Sequence, residues 1–149
     1  VCGAKLINRD NSVQMSCRKF PTIVSSILRR TPLRLFFSKH NRGESHLMNS
    51  WDHNSTCQVD WVLGACMIID KSLINKIGLF DINYFMYCED IDLCYRLNKM
   101  GYMTYYLHDA EIYHDHQGES DKNLISKYSY FHIKSMIYFI YKHKYFKMY

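Results

Sequence analysis

Proline and glycine are scarce, two and six among 149 residues, which excludes collagen-like and low-complexity chains. No apolar run approaches the ~20 residues of a membrane-spanning helix. The longest, MIYFIY at 136–141, falls far short. Six cysteines (Cys2, Cys17, Cys57, Cys66, Cys88, Cys94) show no C-x-x-C spacing, so neither a zinc knuckle nor a disulfide frame is indicated. Cys66 in an apolar segment and Cys94 on a helical stripe read as small core hydrophobes of a reducing compartment. Also missing are a glycine-rich phosphate loop, an initiator methionine and a signal-peptide pattern. The only Asp-x-Asp, Asp90-Ile91-Asp92, opens a helical pattern instead of closing a strand.

What is present is globular: 48% hydrophobic and 22% charged, enough for a single core. Net charge is +5 with eight histidines, too mild to make nucleic acid the obvious partner. Basic residues cluster at Arg29, Arg30, Arg34, Lys39 and Arg42 and again at Lys142, Lys144 and Lys147, without a nucleic-acid motif. The heavy use of Lys, Asn, Ile and Tyr suggests an AT-rich bacterial genome.

Along the chain, residues 1–7 and 12–17 read as short strands around the turn Arg9-Asp10-Asn11. A short helix over Ile23–Arg30 ends near Pro32, and 38–56 is a polar loop. Residues 59–69 read as one apolar strand and Lys71–Ile77 as a helix stopped by Gly78. Strands follow near 102–107 and 110–114, and a terminal helix covers 122–143. Alternating elements of this kind predict a sheet with helices packed on it.

The stretch LFDINYFMYCEDIDLCYRL (79–97) carries the most chemistry. An aromatic run drops into the carboxylate pair Glu89-Asp90, and from Ile91 the apolar residues Leu93, Cys94, Leu97 and Met100 recur at helical spacing. Gly101 supplies the stop. Two carboxylates at a helix start complement the helix dipole, and a positioned one can also serve as a general base.

The run WVLGACMIID…EIYHDHQGES (61–120) resembles the second half of an inverting, GT-A-fold family 2 glycosyltransferase, closest to rhamnosyltransferase-like members that build cell-surface polysaccharides. The likeness rests on Gly64-Ala65, Gly78 to Asp81, Tyr84 to Tyr87, Glu89 to Arg96, Gly101-Tyr102 and His114, in that order. GAKLINRDNSVQMSCRKFPT resembles the segment before that block. The resemblance implies an α/β fold: the mixed sheet with packed helices of a GT-A second half, without the nucleotide-binding half and its strand-ending Asp-x-Asp. It implies a C-terminal fragment, with residues 1–121 as a partial, acceptor-side domain and 122–149 as a helical, aromatic and basic tail.

Residue by residue, the resemblance makes Asp90 the catalytic base and Glu89 a neighbour that orients the acceptor. It puts Gly64 and Ala65 beside donor sugar and acceptor. An indole near a sugar site can stack on the ring, which adds Trp61 and its neighbour Asp60; Tyr87 is a further acceptor-pocket candidate. His114 would complete a divalent metal site (Mn²⁺ or Mg²⁺) that needs the missing Asp-x-Asp half, with His116 on the same strand face. Asp92, one turn before Arg96, reads as a supporting ion pair. The implied partners are a nucleotide-sugar donor and a glycan or lipid-linked acceptor, at the cytoplasmic side of the plasma membrane.

The tail KYSYFHIKSMIYFIYKHKYFKMY suits either a helix packed back on the sheet or peripheral contact with a membrane. Its polar positions Lys127, His132, Lys134, Ser135 and Lys142 form no clean face, which favours packing. Two functional classes stay open: an enzyme part that works only when joined to its nucleotide half, and a non-catalytic remnant or split-gene module that binds a partner chain. A zinc hydrolase using His114, His116 and Glu89 lacks H-E-x-x-H spacing.

Overall fold

The computed structural model describes residues 1–22, 47–115 and 126–145. The chain divides into one unit of Val1–Phe20, Leu47–Asp81 and Glu89–His116 and a second of Pro21–His46, Ile82–Cys88 and Gln117–Tyr149.

The first unit is built on β1 (Cys2–Ile7), whose run GAKLI is buried throughout, as expected of a strand with neighbours on both edges. β1 lies parallel to β6 (Thr104–Tyr113) and antiparallel to β5 (Met67–Ile68). β3 (Cys57–Val59) pairs with the far edge of β6, giving the order β3-β6-β1-β5 in a mixed sheet. β2 (Cys17–Arg18) and β4 (Trp61–Val62) form a separate two-stranded ladder.

Three strand expectations are corrected. Residues 59–69 are not one strand: Gly64-Ala65 is an exposed turn, and the flanking pieces β4 and β5 serve different ladders. The strands near 102–107 and 110–114 are one bulged strand, because Ala4 pairs with Leu107 but Lys5 with Glu111. His108, Asp109 and Ala110 therefore have no partner on β1, an irregularity three residues long where the usual bulge inserts one. Of 12–17, only Val13 makes an isolated bridge, to Ile7, before β2 starts at Cys17.

The helices follow their end signals. α1 (Lys71–Ile77) starts at Asp70, whose carboxylate accepts from Ser72 N–H at 2.8 Å. It stops at Gly78, which adopts φ +71° and donates its N–H to Ile74 O. α2 (Glu89–Lys99) buries Ile91, Leu93, Cys94 and Leu97. Met100 lies past its end and is exposed, so it drops out of the stripe. Leu93 and Leu97 pack with Leu73, while Cys17, Val59, Val62 and Tyr106 form a separate core cluster. Arg96 fixes α2 in place: its Nε donates to the fully buried Asp92 at 2.7 Å, and Nη1 donates to Ile77 O at 2.6 Å. The expected ion pair is present.

The second unit is organised by α3 (Lys127–His143), capped by the Ser126 hydroxyl accepting from Ser129 N–H at 3.1 Å. The helix packs on residues 82–88: Ser135 Oγ donates to Met86 O at 2.7 Å, and Tyr138 meets Tyr84 edge-on at 4.9 Å. The expectations for 23–46, 122–125 and His116 fall outside the described residues. Among the described residues, no helix is long and apolar enough to cross a membrane, and all six cysteines are free.

Candidate active site

Leu63 N–H donates to Ser16 O at 2.8 Å, which holds the end of β4 and the turn after it. The next amide, Gly64 N–H, then reaches Asp90 Oδ2 at 3.0 Å. Asp90 Oδ1 accepts from Ile91 N–H at 2.8 Å. A Cβ at position 64 would lie 3.6 Å from Asp90 Cβ, in ordinary contact, so the backbone amide and not the lack of a side chain makes this approach. Thus Gly64 and Asp90, 26 residues apart, are brought together.

Asp90 is only 8% exposed. Burial raises its proton affinity above the ordinary carboxylate range, while the Gly64 and Ile91 amides and the Arg18 charge pull the other way. Glu89 is also raised, first by burial and then by the Asp90 charge. Its Oε2 is buried with no hydrogen-bond partner among the described residues. Just before the pair, Tyr87 and Cys88 both hold φ +67°, a conformation L residues seldom adopt.

A cavity of about 220 Å³ is lined by Asn8, Val13, Gln14, Met15, Arg18 and Leu63. Leu63 precedes the amide that holds Asp90, and the charge of Arg18 acts on Asp90. Gln14 links the same wall to His114. Its Nε2 donates to His114 O at 2.6 Å, and its Oε1 faces His114 Nδ1 at 2.9 Å. His114 follows β6 directly, with its own N–H on Ile7 O at 3.0 Å. The structure therefore connects Gly64, Asp90 and His114 through two residues, Gln14 and Arg18, that the sequence reading missed. Their signal was faint: one amide in the run VQMSC and one cation after it.

Trp61 is too buried for the expected stacking on a sugar, and Asp60 is engaged with the same neighbouring segment. Asp60 Oδ2 accepts from Phe20 N–H at 2.6 Å, and Trp61 Nε1–H donates to Lys19 O at 3.0 Å. Trp61 is 4% exposed, with the Arg18 guanidinium 5.3 Å from its ring centroid. A buried indole must satisfy its N–H, and residues 18–20 do so while covering the ring. Both residues hold that segment, and the buried indole offers no stacking face to a sugar. Ala65 is exposed beside Gly64. Tyr87 lies in the second unit, its ring 5.2 Å from His132.

Among the described residues, no three His, Cys, Asp or Glu side chains come together as a metal site. Asp115 is paired with Arg9, so His114 stands as a single nitrogen donor. These residues do not by themselves fit a divalent ion.

No family model matches the chain, and no solved structure does. Among curated proteins it is 30% identical, over 112 residues, to an N-acetylglucosaminyl-diphospho-decaprenol L-rhamnosyltransferase of Mycobacterium tuberculosis, covering 75% of this chain and 36% of that protein. It is 38% identical to the rhamnosyltransferase WbbL of Escherichia coli over 77 residues, 52% of this chain and 29% of that protein. A low-salt glycan biosynthesis hexosyltransferase of Haloferax volcanii matches at 42% over 41 residues, 28% of this chain and 13% of that protein. The chain spans about a third of the length of the rhamnosyltransferases it matches. Its curated homologues are thus rhamnosyltransferases and hexosyltransferases of the glycosyltransferase family 2 type, matched over part of the chain at moderate identity.

Proposed function

We propose that this chain is the acceptor-side part of an inverting glycosyltransferase of GT-A type, with Asp90 as its general base. The observation that carries the reading is the Asp90 carboxylate, buried at the start of α2 with Gly64 N–H on Oδ2. A sugar hydroxyl is a poor nucleophile at neutral pH, so a positioned base of raised proton affinity suits it. In the proposed step the acceptor oxygen bonds to the anomeric carbon of a nucleotide-diphosphate-sugar. The carbon–phosphate-oxygen bond breaks on the opposite side, the diphosphate leaves with the electron pair, and the hydroxyl proton passes to Asp90. One such displacement inverts the anomeric centre. Glu89, one residue away with its own raised proton affinity, orients the acceptor.

The cavity of about 220 Å³, which Leu63 and Arg18 border on the Asp90 side, is smaller than the ~300–1,000 Å³ of full small-molecule sites, and in this reading it has room for one sugar-sized group. Asn8, Gln14 and Arg18 provide amide and guanidinium donors suited to hydroxyls. A divalent ion would require further donors beside His114. The mycobacterial relative is named for a diphospho-decaprenol-linked acceptor, which favours a lipid-linked or glycan acceptor here. We place the reaction in cell-surface polysaccharide synthesis at the cytoplasmic face of the membrane as part of the same proposal.

The test is a donor screen on the intact protein, with and without Mn²⁺, reading the anomeric configuration of the product by NMR. Transfer with inversion supports the reading. Retention of configuration, or no transfer from any nucleotide sugar, overturns it.

A further inference from the structure

The exposed positions of α3 are Lys127, Tyr130, Ile133, Lys134, Ile137 and Tyr141. At 100° per residue all six fall within about 120° of the helix circumference. The opposite arc carries the buried Ser129, Ser135, Met136 and Phe139. Of the polar residues that blurred the face in the sequence, Lys127 and Lys134 lie on the stripe, Ser135 on the buried arc, and the half-buried His132 and Lys142 off the stripe. Ser129 and Ser135 bond internally, and the outward lysines share one stripe with tyrosine and isoleucine.

The exposure is large: Tyr130 61%, Ile137 62% and Tyr141 80%. Phe85, 73% exposed, continues the apolar surface through Phe131 at 4.8 Å to Tyr130 at 5.7 Å. The helix contains no Asp or Glu, and the exposed Lys144 caps its end.

We propose that this stripe docks on an anionic lipid surface, with Tyr130, Ile133, Ile137 and Tyr141 entering the interfacial layer and Lys127, Lys134 and Lys144 meeting acidic headgroups. Water does not favour so wide an apolar strip on a chain surface. Aliphatic and tyrosyl side chains with lysines along the same stripe, and no Asp or Glu on the helix, match the chemistry of a negatively charged bilayer interface. A neutral apolar partner would leave the lysines unmatched. The inference does not depend on the catalytic reading.

The test is flotation of the full chain with vesicles of phosphatidylcholine containing a quarter phosphatidylglycerol, against phosphatidylcholine alone. The wild-type chain is expected to float with the anionic vesicles only. Replacing Lys127, Lys134 and Lys144 by Gln lowers the partition coefficient on the order of 100-fold, at roughly fivefold per lysine. The triple change Tyr130→Ser, Ile137→Ser, Tyr141→Ser abolishes flotation while the circular dichroism spectrum is kept. No flotation of the wild type, or flotation indifferent to both sets, overturns the proposal. A concentration-dependent dimer in light scattering, dissolved by the serine changes while flotation persists, also overturns it and makes the face a contact between copies.

Discussion

Gln14 holds His114 by two hydrogen bonds, Nε2–H to the backbone carbonyl at 2.6 Å and Oε1 against ring Nδ1 at 2.9 Å. A carbonyl only accepts, so the amide nitrogen must face it and the amide oxygen must face the ring. Nδ1 then carries the proton and Nε2 the lone pair, the form a metal-ligating or proton-accepting histidine needs. Long-range ¹⁵N–¹H spectra of the chain are expected to show the Nδ1–H tautomer at His114. Gln14→Leu shifts it toward Nε2–H, the form free side chains prefer; an unchanged spectrum refutes the assignment. In the intact protein, His114→Ala tests the proposed ligand role: a displaced Mn²⁺ titration of donor use supports it, and an unaltered one counts against it.

Burial raises the proton affinity of Asp90 and Glu89, so the folded chain binds their protons more tightly than the unfolded one. Their contribution to stability is full below the ordinary carboxylate range, about pH 4, and is lost as pH rises through the raised values. Asp10, Asp70 and Glu111 are shifted the opposite way but lie at the surface, where solvent screens them. His53, lowered by burial, works in the opposite direction as pH rises, so the wild type is compared with Asp90→Asn at each pH. Its urea midpoint should fall relative to that of the variant upward from pH 4. Equal slopes would mean that the Asp90 carboxylate is not desolvated.

Two glycines separate sterics from chemistry. A Cβ at Gly3 would sit 2.6 Å from Val62 Cβ, a rigid atom of the core. Gly3→Ala is expected to cost about 1–3 kcal/mol. Gly64→Ala makes only ordinary contact with Asp90 and should stay within about 0.5 kcal/mol. Melting temperatures of the two variants decide this.

Arg96 carries the fold more than its partly exposed position suggests. Arg96→Ala takes the guanidinium from Asp92, which is fully buried. It also removes the donors to Ile77 O and Leu79 O. The expected loss is about 3 kcal/mol in denaturant unfolding. A loss under half of that would make the pair incidental.

The helices were legible because their end signals are local: Asp70 and Gly78 bracket α1, and α2 begins at the carboxylates and ends before Gly101. The strands were less so. An unbroken apolar run such as 59–69 cannot show that β4 pairs with β2 while β5 pairs with β1, since pairing is a long-range property. The same holds for the bulge in β6. Within the site, Glu89-Asp90 announced itself through its motif. Gln14 and Arg18 acquire meaning only when β1, the loop after it and the Leu63–Gly64 turn meet. Trp61 misled because an indole is equally suited to stacking on a sugar and to filling a core, and only its burial separates the two.

The central claim is that the Asp90 carboxylate removes the acceptor proton. Asp90→Asn in the intact protein, with kcat and donor affinity measured side by side, tests it most directly. The account predicts that kcat falls by about 10²–10⁴-fold with donor binding unchanged. Near-normal turnover in that variant would contradict it.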